Sequence, residues 1–218
     1  MIAIFFDLDN TIYDSRQYFL GALNEISGYL AKAAKLPRQK IYQELTRLWQ
    51  KKTSFYPYLF DDLLKELNIE SKELVKEVVN LFNGYRGRLK PYPGALPALK
   101  KMKKLGYKLG IITDGNVKRQ QAKISLLGIK DFFEVIIYTK KIRPKPSKKS
   151  FLAAVKKMKI NPKDAYYVAD NPLVDFKGAK EIGMKTARLL QGEFKSIPKN
   201  KYIDYEIKKF SEILNLVK

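Results

Sequence analysis

Seven polar residues of the chain fall where phosphate chemistry could use them: Asp7 and Asp9 in "FFDLDNTIYD", Thr113 and Asp114 in "IITDG", Lys145 in "KKIRPKPSKK", and Asp170 and Asp175 in "YYVADNPLVD". Aspartate is a poor strand residue. Two of them one residue apart at a strand's end repel unless a metal ion, a cationic side chain or water lies between them. The chemistry such a set could do is phosphoryl transfer. An attacking carboxylate and an anionic phosphate also repel, so the site needs a divalent cation held by oxygen, which Asp7 and Asp170 can provide. Asp9 points the same way as Asp7 if the strand continues, and can protonate a leaving oxygen and later take a proton from the attacking water. That role calls for a carboxyl whose pKa is raised by burial or by a neighbouring negative charge. Thr113 offers a hydroxyl, the backbone amides that follow it can donate to phosphate oxygens, and Lys145 supplies fixed positive charge. Taken singly, each has a plainer reading as a surface acid, a turn, a solvated lysine or a helix-end acid. Their ordered occurrence at successive strand ends favours the joint reading.

The elements that must position these residues are legible as hydrophobic periodicity. Strands are predicted at 2–6, 108–113, 134–138, 165–169 and 185–189, with helices near 97–104, 117–127, 150–158 and 175–182. Strands separated by helices of this length imply a parallel sheet covered on both faces, and ligands of such sheets bind beyond the carboxyl ends of the strands. Between the first strand and this α/β region, Tyr18, Phe19, Ala22, Leu23, Ile26, Tyr29, Leu30 and Ala33 recur at helical spacing. Pro37 suits the start of a second helix, and two more amphipathic pieces surround Leu63 and Val78. The predicted organisation is an α/β core of residues 1–14 and 86–218 interrupted by a helical insertion, 15–85.

Composition narrows the function. With no cysteine and no histidine, the chain has no disulfide framework and lacks the commonest general base, so chemistry must run on carboxylates, hydroxyls, lysines and a hard cation. The net charge of +21 favours an anionic partner or a lysine-rich solubilising surface. Ten Lys or Arg and no acid lie between Val135 and Lys163, which motivates the competing reading of a nucleic-acid-binding protein on an inactive hydrolase scaffold. The carboxylate cluster, which would repel a polyanion, speaks against it. No apolar run is long enough to span a membrane, and the chain enters a strand at once, so a cytoplasmic protein is expected.

The four segments resemble the motifs of the haloacid dehalogenase superfamily of hydrolases, in order and over essentially the whole chain. "DLDNT" is similar to the first motif, "ITDG" to the second, "KPSKKSF" to the lysine motif and "VADNPLVD" to the acidic fourth. Two positions depart from the pattern: Ala169 stands where the family usually has glycine, and Lys148 where it usually has a second proline. The resemblance implies a three-layer Rossmann-like core with an α-helical cap that closes over the site. It also implies Asp7 as the nucleophile that forms an aspartyl-phosphate, Asp9 as acid and base, and Thr113, Asp114 and Lys145 as the phosphate-binding set. Mg2+ would be held by Asp7, Asp170 and the main-chain carbonyl of Asp9, with Asp175 in support. The expected activity is a Mg2+-dependent phosphatase of a small phosphorylated metabolite, acting as a monomer or homodimer. A 2-haloacid dehalogenase or a phosphomutase of the same superfamily is the alternative; a dehalogenase needs no second carboxylate, because no leaving oxygen takes a proton.

Overall fold

The computed structural model describes residues 1–52 and 56–217, and divides the chain into two compact units: Met1–Ser15 with the chain from Leu89 onward, and Arg16–Arg88. The first unit is built on a six-stranded sheet, β1 (Ala3–Phe6), β2 (Lys108–Thr113), β3 (Val135–Tyr138), β4 (Ala165–Ala169), β5 (Lys185–Leu189) and β6 (Tyr205–Ile207). All pairings are parallel and the order is β3-β2-β1-β4-β5-β6. Strand order therefore reverses between β1 and β4, which is where a crevice opens in such sheets. Sequence patterning misses β6, a three-residue edge strand with two exposed positions.

Alternation along β1 explains how the sheet is covered. Phe6 stacks on Phe210 at 5.4 Å and meets Phe133 edge-on, on the face toward the helix Ala95–Lys104 and the C-terminal segment. Phe5 faces the other way, into a cluster with Phe151, Tyr167, Phe176 and Met158. Its register partner is Gly110, where a Cβ would lie 2.5 Å from the Phe5 ring, so only glycine fits beside it. On that face pack the helices Lys148–Met158 and Phe176–Glu181. Two of the core helices start slightly earlier than their periodicity predicts. The helix beside Phe210 starts at Ala95 and accommodates Pro97 in its first turn, where no N–H is required. The helix after Lys145 starts at Lys148, with Ser147 as its cap. Lys148 thus occupies the first helical position, a place where proline is favoured but any residue without a needed N–H will serve.

Among the described residues the second unit has four helices, α1 (Arg16–Ala34), α2 (Arg38–Lys52), α3 (Leu59–Glu66) and α4 (Lys72–Gly84); the helical pattern through 53–55 lies outside the described residues. An aromatic cluster holds it: Phe19 stacks on Trp49 at 5.5 Å, and Phe82 contacts Tyr18, Phe19 and Phe60. Tyr18 is fully buried and donates to the Phe82 carbonyl at 2.6 Å. The unit runs three residues past the predicted boundary at 85 because Tyr85 packs edge-on against Tyr18, between Gly21 and Gly87, where a Cβ at either glycine would overlap its ring. The remaining core helices are numbered in chain order: α5 (Ala95–Lys104), α6 (Val117–Leu126), α7 (Lys148–Met158), α8 (Phe176–Glu181) and α9 (Ile213–Leu216).

Candidate active site

Asp7 extends β1 by one residue, its N–H donating to the Val168 carbonyl at 2.9 Å, and then the chain turns as Ile12 N–H bonds the Leu8 carbonyl. The turn separates the two carboxylates that an uninterrupted strand would have aligned. Asp7 pairs with Lys145, Nζ to Oδ1 2.7 Å, whereas Asp9 pairs with Lys123, Nζ lying 2.7 and 2.9 Å from its two oxygens. Two lysines, rather than one shared cation, offset the repulsion written into the sequence. Lys123 also reverses the expected shift at Asp9: burial raises its carboxyl, but Lys123, with Tyr13 and Gln120, outweighs burial and holds it below the ordinary value.

Around Asp7 gather Asp170 and Asp175, with one carboxylate oxygen of each of the three within 4.8 Å of the others, all three residues buried. Asp175, predicted only in support, belongs to this cluster together with Asp170, while the Asp9 carboxylate is paired with Lys123. Asp175 heads α8, accepts from the Asn171 N–H at 2.9 Å and binds Lys145 Nζ at 2.5 Å. Tyr167 places its hydroxyl 3.2 Å from the same ammonium. Asp170 follows β4, takes a long contact of 3.5 Å from the Thr11 hydroxyl, and has its Oδ2 buried without a hydrogen-bond partner. Gly192, at φ +72, comes so close that a Cβ there would lie 2.8 Å from the Asn10 Cβ and 3.4 Å from that Oδ2. The approach is fixed by Arg188, which is 1% exposed and donates to the carbonyls of Phe194 and Ile197 and to that of Asp170.

The charges do not balance. Three carboxylates face one ammonium, so full ionisation leaves two surplus negative charges in a buried place. Burial pushes Asp7 up to about 7, opposed by Lys145 and reinforced by Asp175. Burial, with Asp175 and Asp7 adding to it, holds Asp170 well above the usual carboxylate range, and Asp175 is raised mainly by burial. For Lys145 burial works against the charge, but Asp175 and Asp7 outweigh it and hold it well above the usual lysine value. Three hard oxygens, one orphaned, and a surplus of two charges form a donor set that fits a divalent cation such as Mg2+.

On the other side of Asp7, Thr113 ends β2 and is buried; Gln120 of α6 donates to its hydroxyl at 2.6 Å and to Asp9 Oδ2 at 2.8 Å. Asp114 turns its carboxylate to the Thr139 hydroxyl and, at 3.2 Å, to the backbone N–H of Lys145. What Asp114 does here is tie the loop that carries Lys145 to the end of β2. Sequence reasoning misses Gln120, Lys123, Tyr13 and Tyr167. The available signal is in α6, where Gln120 and Lys123 occupy the stripe shared with Ile124 and Leu127, positions that should be apolar.

Comparison with known proteins places this geometry in a family. Residues 4–189 match the family described as haloacid dehalogenase-like hydrolase. A protein of Methanocaldococcus jannaschii named glyceraldehyde 3-phosphate phosphatase is 32% identical over 219 residues, covering 99% of this chain and 96% of its own. A protein of the same name from Pyrococcus furiosus is 35% identical over 220 residues, covering 98% and 92%. The crystal structure of a HAD phosphatase from Thermococcus onnurineus superposes with a TM-score of 0.70 at 25% identity, covering 100% of this chain and 98% of the other. The chain belongs to the haloacid dehalogenase-like hydrolases, and within them it is an enzyme that hydrolyses phosphate esters.

Among the described residues, no helix is long and apolar enough to cross a membrane.

Proposed function

We propose that the chain is a Mg2+-dependent phosphatase of a small phosphorylated metabolite, with a triose phosphate as the first substrate to test, and that Asp7 carries the phosphoryl group between substrate and water. The observation that carries this reading is the buried cluster of Asp7, Asp170 and Asp175 around Lys145, whose two surplus charges and orphaned Asp170 oxygen suit a divalent cation beside a carboxylate nucleophile. The relatives named glyceraldehyde 3-phosphate phosphatase support the substrate.

Mg2+ would be held by Asp7, Asp170 and the Asp9 carbonyl, with Asp175 beside it, and would supply the positive charge that keeps Asp7 ionised and offsets charge on the phosphoryl oxygens. The anionic phosphate, arriving beside Asp9, favours protonation of its carboxyl and so opposes the downward pull of Lys123. An Asp7 carboxylate oxygen attacks phosphorus, and the ester oxygen departs with a proton from the Asp9 carboxyl. Water then attacks the aspartyl-phosphate and gives a proton back to Asp9, releasing inorganic phosphate and restoring both acids. Lys145 and the Thr113 hydroxyl hold phosphoryl oxygens through both steps. The Asp9 carboxyl, gripped by three side chains, is idle in a dehalogenase, so a phosphate ester suits this site better than a haloacid. The helical unit Arg16–Arg88 is the cap of this reading and the part that selects the substrate.

The test is phosphate release from glyceraldehyde 3-phosphate, with Mg2+ and with EDTA, for the wild type and Asp7→Asn. Turnover that needs Mg2+ and falls by at least about 10⁴-fold in the variant is expected. Turnover that survives Asp7→Asn would overturn the covalent route.

A further inference from the structure

Four hydrogen bonds from three buried donors converge on the Asp9 carboxylate. Lys123 reaches both oxygens at 2.7 and 2.9 Å, Gln120 Nε2 donates to Oδ2 at 2.8 Å and Tyr13 donates to Oδ1 at 2.6 Å. A carboxylate has about four acceptor directions, so these donors leave its orientation little freedom. The arrangement is also costly to bury. Lys123 and Gln120 are 2% and 1% exposed, whereas the Asp9 side chain is 29% exposed, so the lysine is sequestered and the acid is the member of the pair that reaches solvent. An apolar residue at 123 would pack with Ile124 and Leu127 without the cost of desolvating an ammonium, and buried ion pairs of this kind are commonly no more stabilising than such a replacement. Stability alone does not account for a lysine and a glutamine one turn apart on the apolar stripe of α6.

We propose that Gln120 and Lys123 are positioning residues: they set where the Asp9 carboxyl meets the leaving oxygen. Gln120 does a second job, because the same amide nitrogen lies 2.6 Å from Thr113 Oγ1 and donates to it. A hydroxyl that accepts from Gln120 keeps its own proton for another acceptor; here it makes only a long contact of 3.4 Å to the Asp114 carbonyl, which a phosphoryl oxygen can replace. One turn of α6 therefore aligns the proton carrier and a phosphate ligand with each other. The helix is itself fixed at its start, where the Asn116 side chain accepts from the Arg119 N–H and Gly115 adopts φ +110. This inference rests on the reading of Asp9 as proton carrier, and misplacement of a reacting group by about 1 Å is enough to cost on the order of 10²-fold in rate.

The experiment compares kcat/KM on p-nitrophenyl phosphate with kcat/KM on the alkyl phosphomonoester that the wild type turns over fastest, in saturating Mg2+. A p-nitrophenolate departs without a proton and an alkoxide does not, so only the alkyl ester depends on a well-placed Asp9 in the bond-breaking step. Asp9→Asn should lower the alkyl value by roughly 10²–10⁴-fold and the aryl value far less. Lys123→Met should reproduce that selectivity at about 10²-fold on the alkyl ester and under about 10-fold on the aryl ester. Lys123→Arg should recover part of the alkyl rate. If Asp9→Asn is selective and Lys123→Met lowers both substrates equally, or neither, the positioning role is overturned while the Asp9 reading stands. If Asp9→Asn is itself unselective, the Asp9 reading fails and takes the proposal with it. Should Lys123→Met not fold, as judged by its melting transition, Gln120→Leu keeps the ion pair and decides the question by the same ratio.

Discussion

Two clusters of charge lie within a few residues of each other at the end of β1, and they are built on opposite plans. Asp9 and Lys123 balance one to one, and hydrogen bonds from Gln120 and Tyr13 complete the pair. Asp7, Asp170 and Asp175 share a single ammonium and are left with charge to spare. A balanced pair fixes an orientation; an unbalanced one calls for a cation. The same residue type, two positions apart in sequence, is set to two uses by whether its neighbours satisfy it.

The sharpest way to break this contrast is to change the unbalanced cluster. Asp175→Asn removes a charge but keeps the side chain's shape, and the midpoint for activation by Mg2+ is expected to rise about 10–100-fold. Lys123→Met, which takes a positive charge away from the balanced pair, should not weaken Mg2+ activation at all. An equal rise in both variants would mean that the two clusters act as one.

A second test uses pH. Asp7 in the metal-free protein titrates near 7 against an ordinary value of 3.8, because burial disfavours its charge. Between those values the folded state holds a proton that the unfolded chain has lost. Its contribution to stability is full below about pH 4 and is lost as pH rises through about 7. Mg2+ bound at this cluster would compete with that proton, so the rise in Tm on adding Mg2+ should grow over the same window. At about one hundred times Kd and above pH 7 it should reach roughly 5–10 °C. A rise in Tm that is the same at pH 5 and pH 7.5 would remove the surplus charge from the account.

The smallest expected effect concerns neither cluster but the charge around them. With a net +21, encounter with an anionic substrate is steered, and kcat/KM should fall a few-fold as ionic strength rises while kcat moves little. A flat profile would leave the lysines a solubilising role only.

Much of the site is legible in the amino-acid sequence, and for a physical reason. Aspartate at the end of a buried strand violates strand preference so plainly that Asp7, Asp114 and Asp170 mark the carboxyl edge of the sheet, and parallel pairing gathers strand ends without further instruction. β2 and β4 are readable because strands buried on both faces are written as apolar runs. Lys123 and Gln120 are hidden because their meaning depends on which face of α6 meets the end of β1, a tertiary fact. The same fact reverses the shift at Asp9, whose lysine partner lies 114 residues away. Arg188 is hidden likewise: a charged residue inside β5 makes sense only once the carbonyls of Phe194 and Ile197 arrive to accept from it. β6 is too short and too exposed to show a period.

The pairing of β1 has a consequence for how the chain acquires its shape. Ala3 sits beside Lys108 on one side and Ala165 on the other, so β1 waits for partners from far down the chain. The helices between Arg16 and Arg88 pack chiefly on one another, close in sequence, and need no such wait. Contacts that close long loops form slowly and local ones quickly. On the ribosome, the contacts of the helical unit therefore become available before those of β1, and the strand that leads to Asp7 lacks its partners until β2 and then β4 emerge.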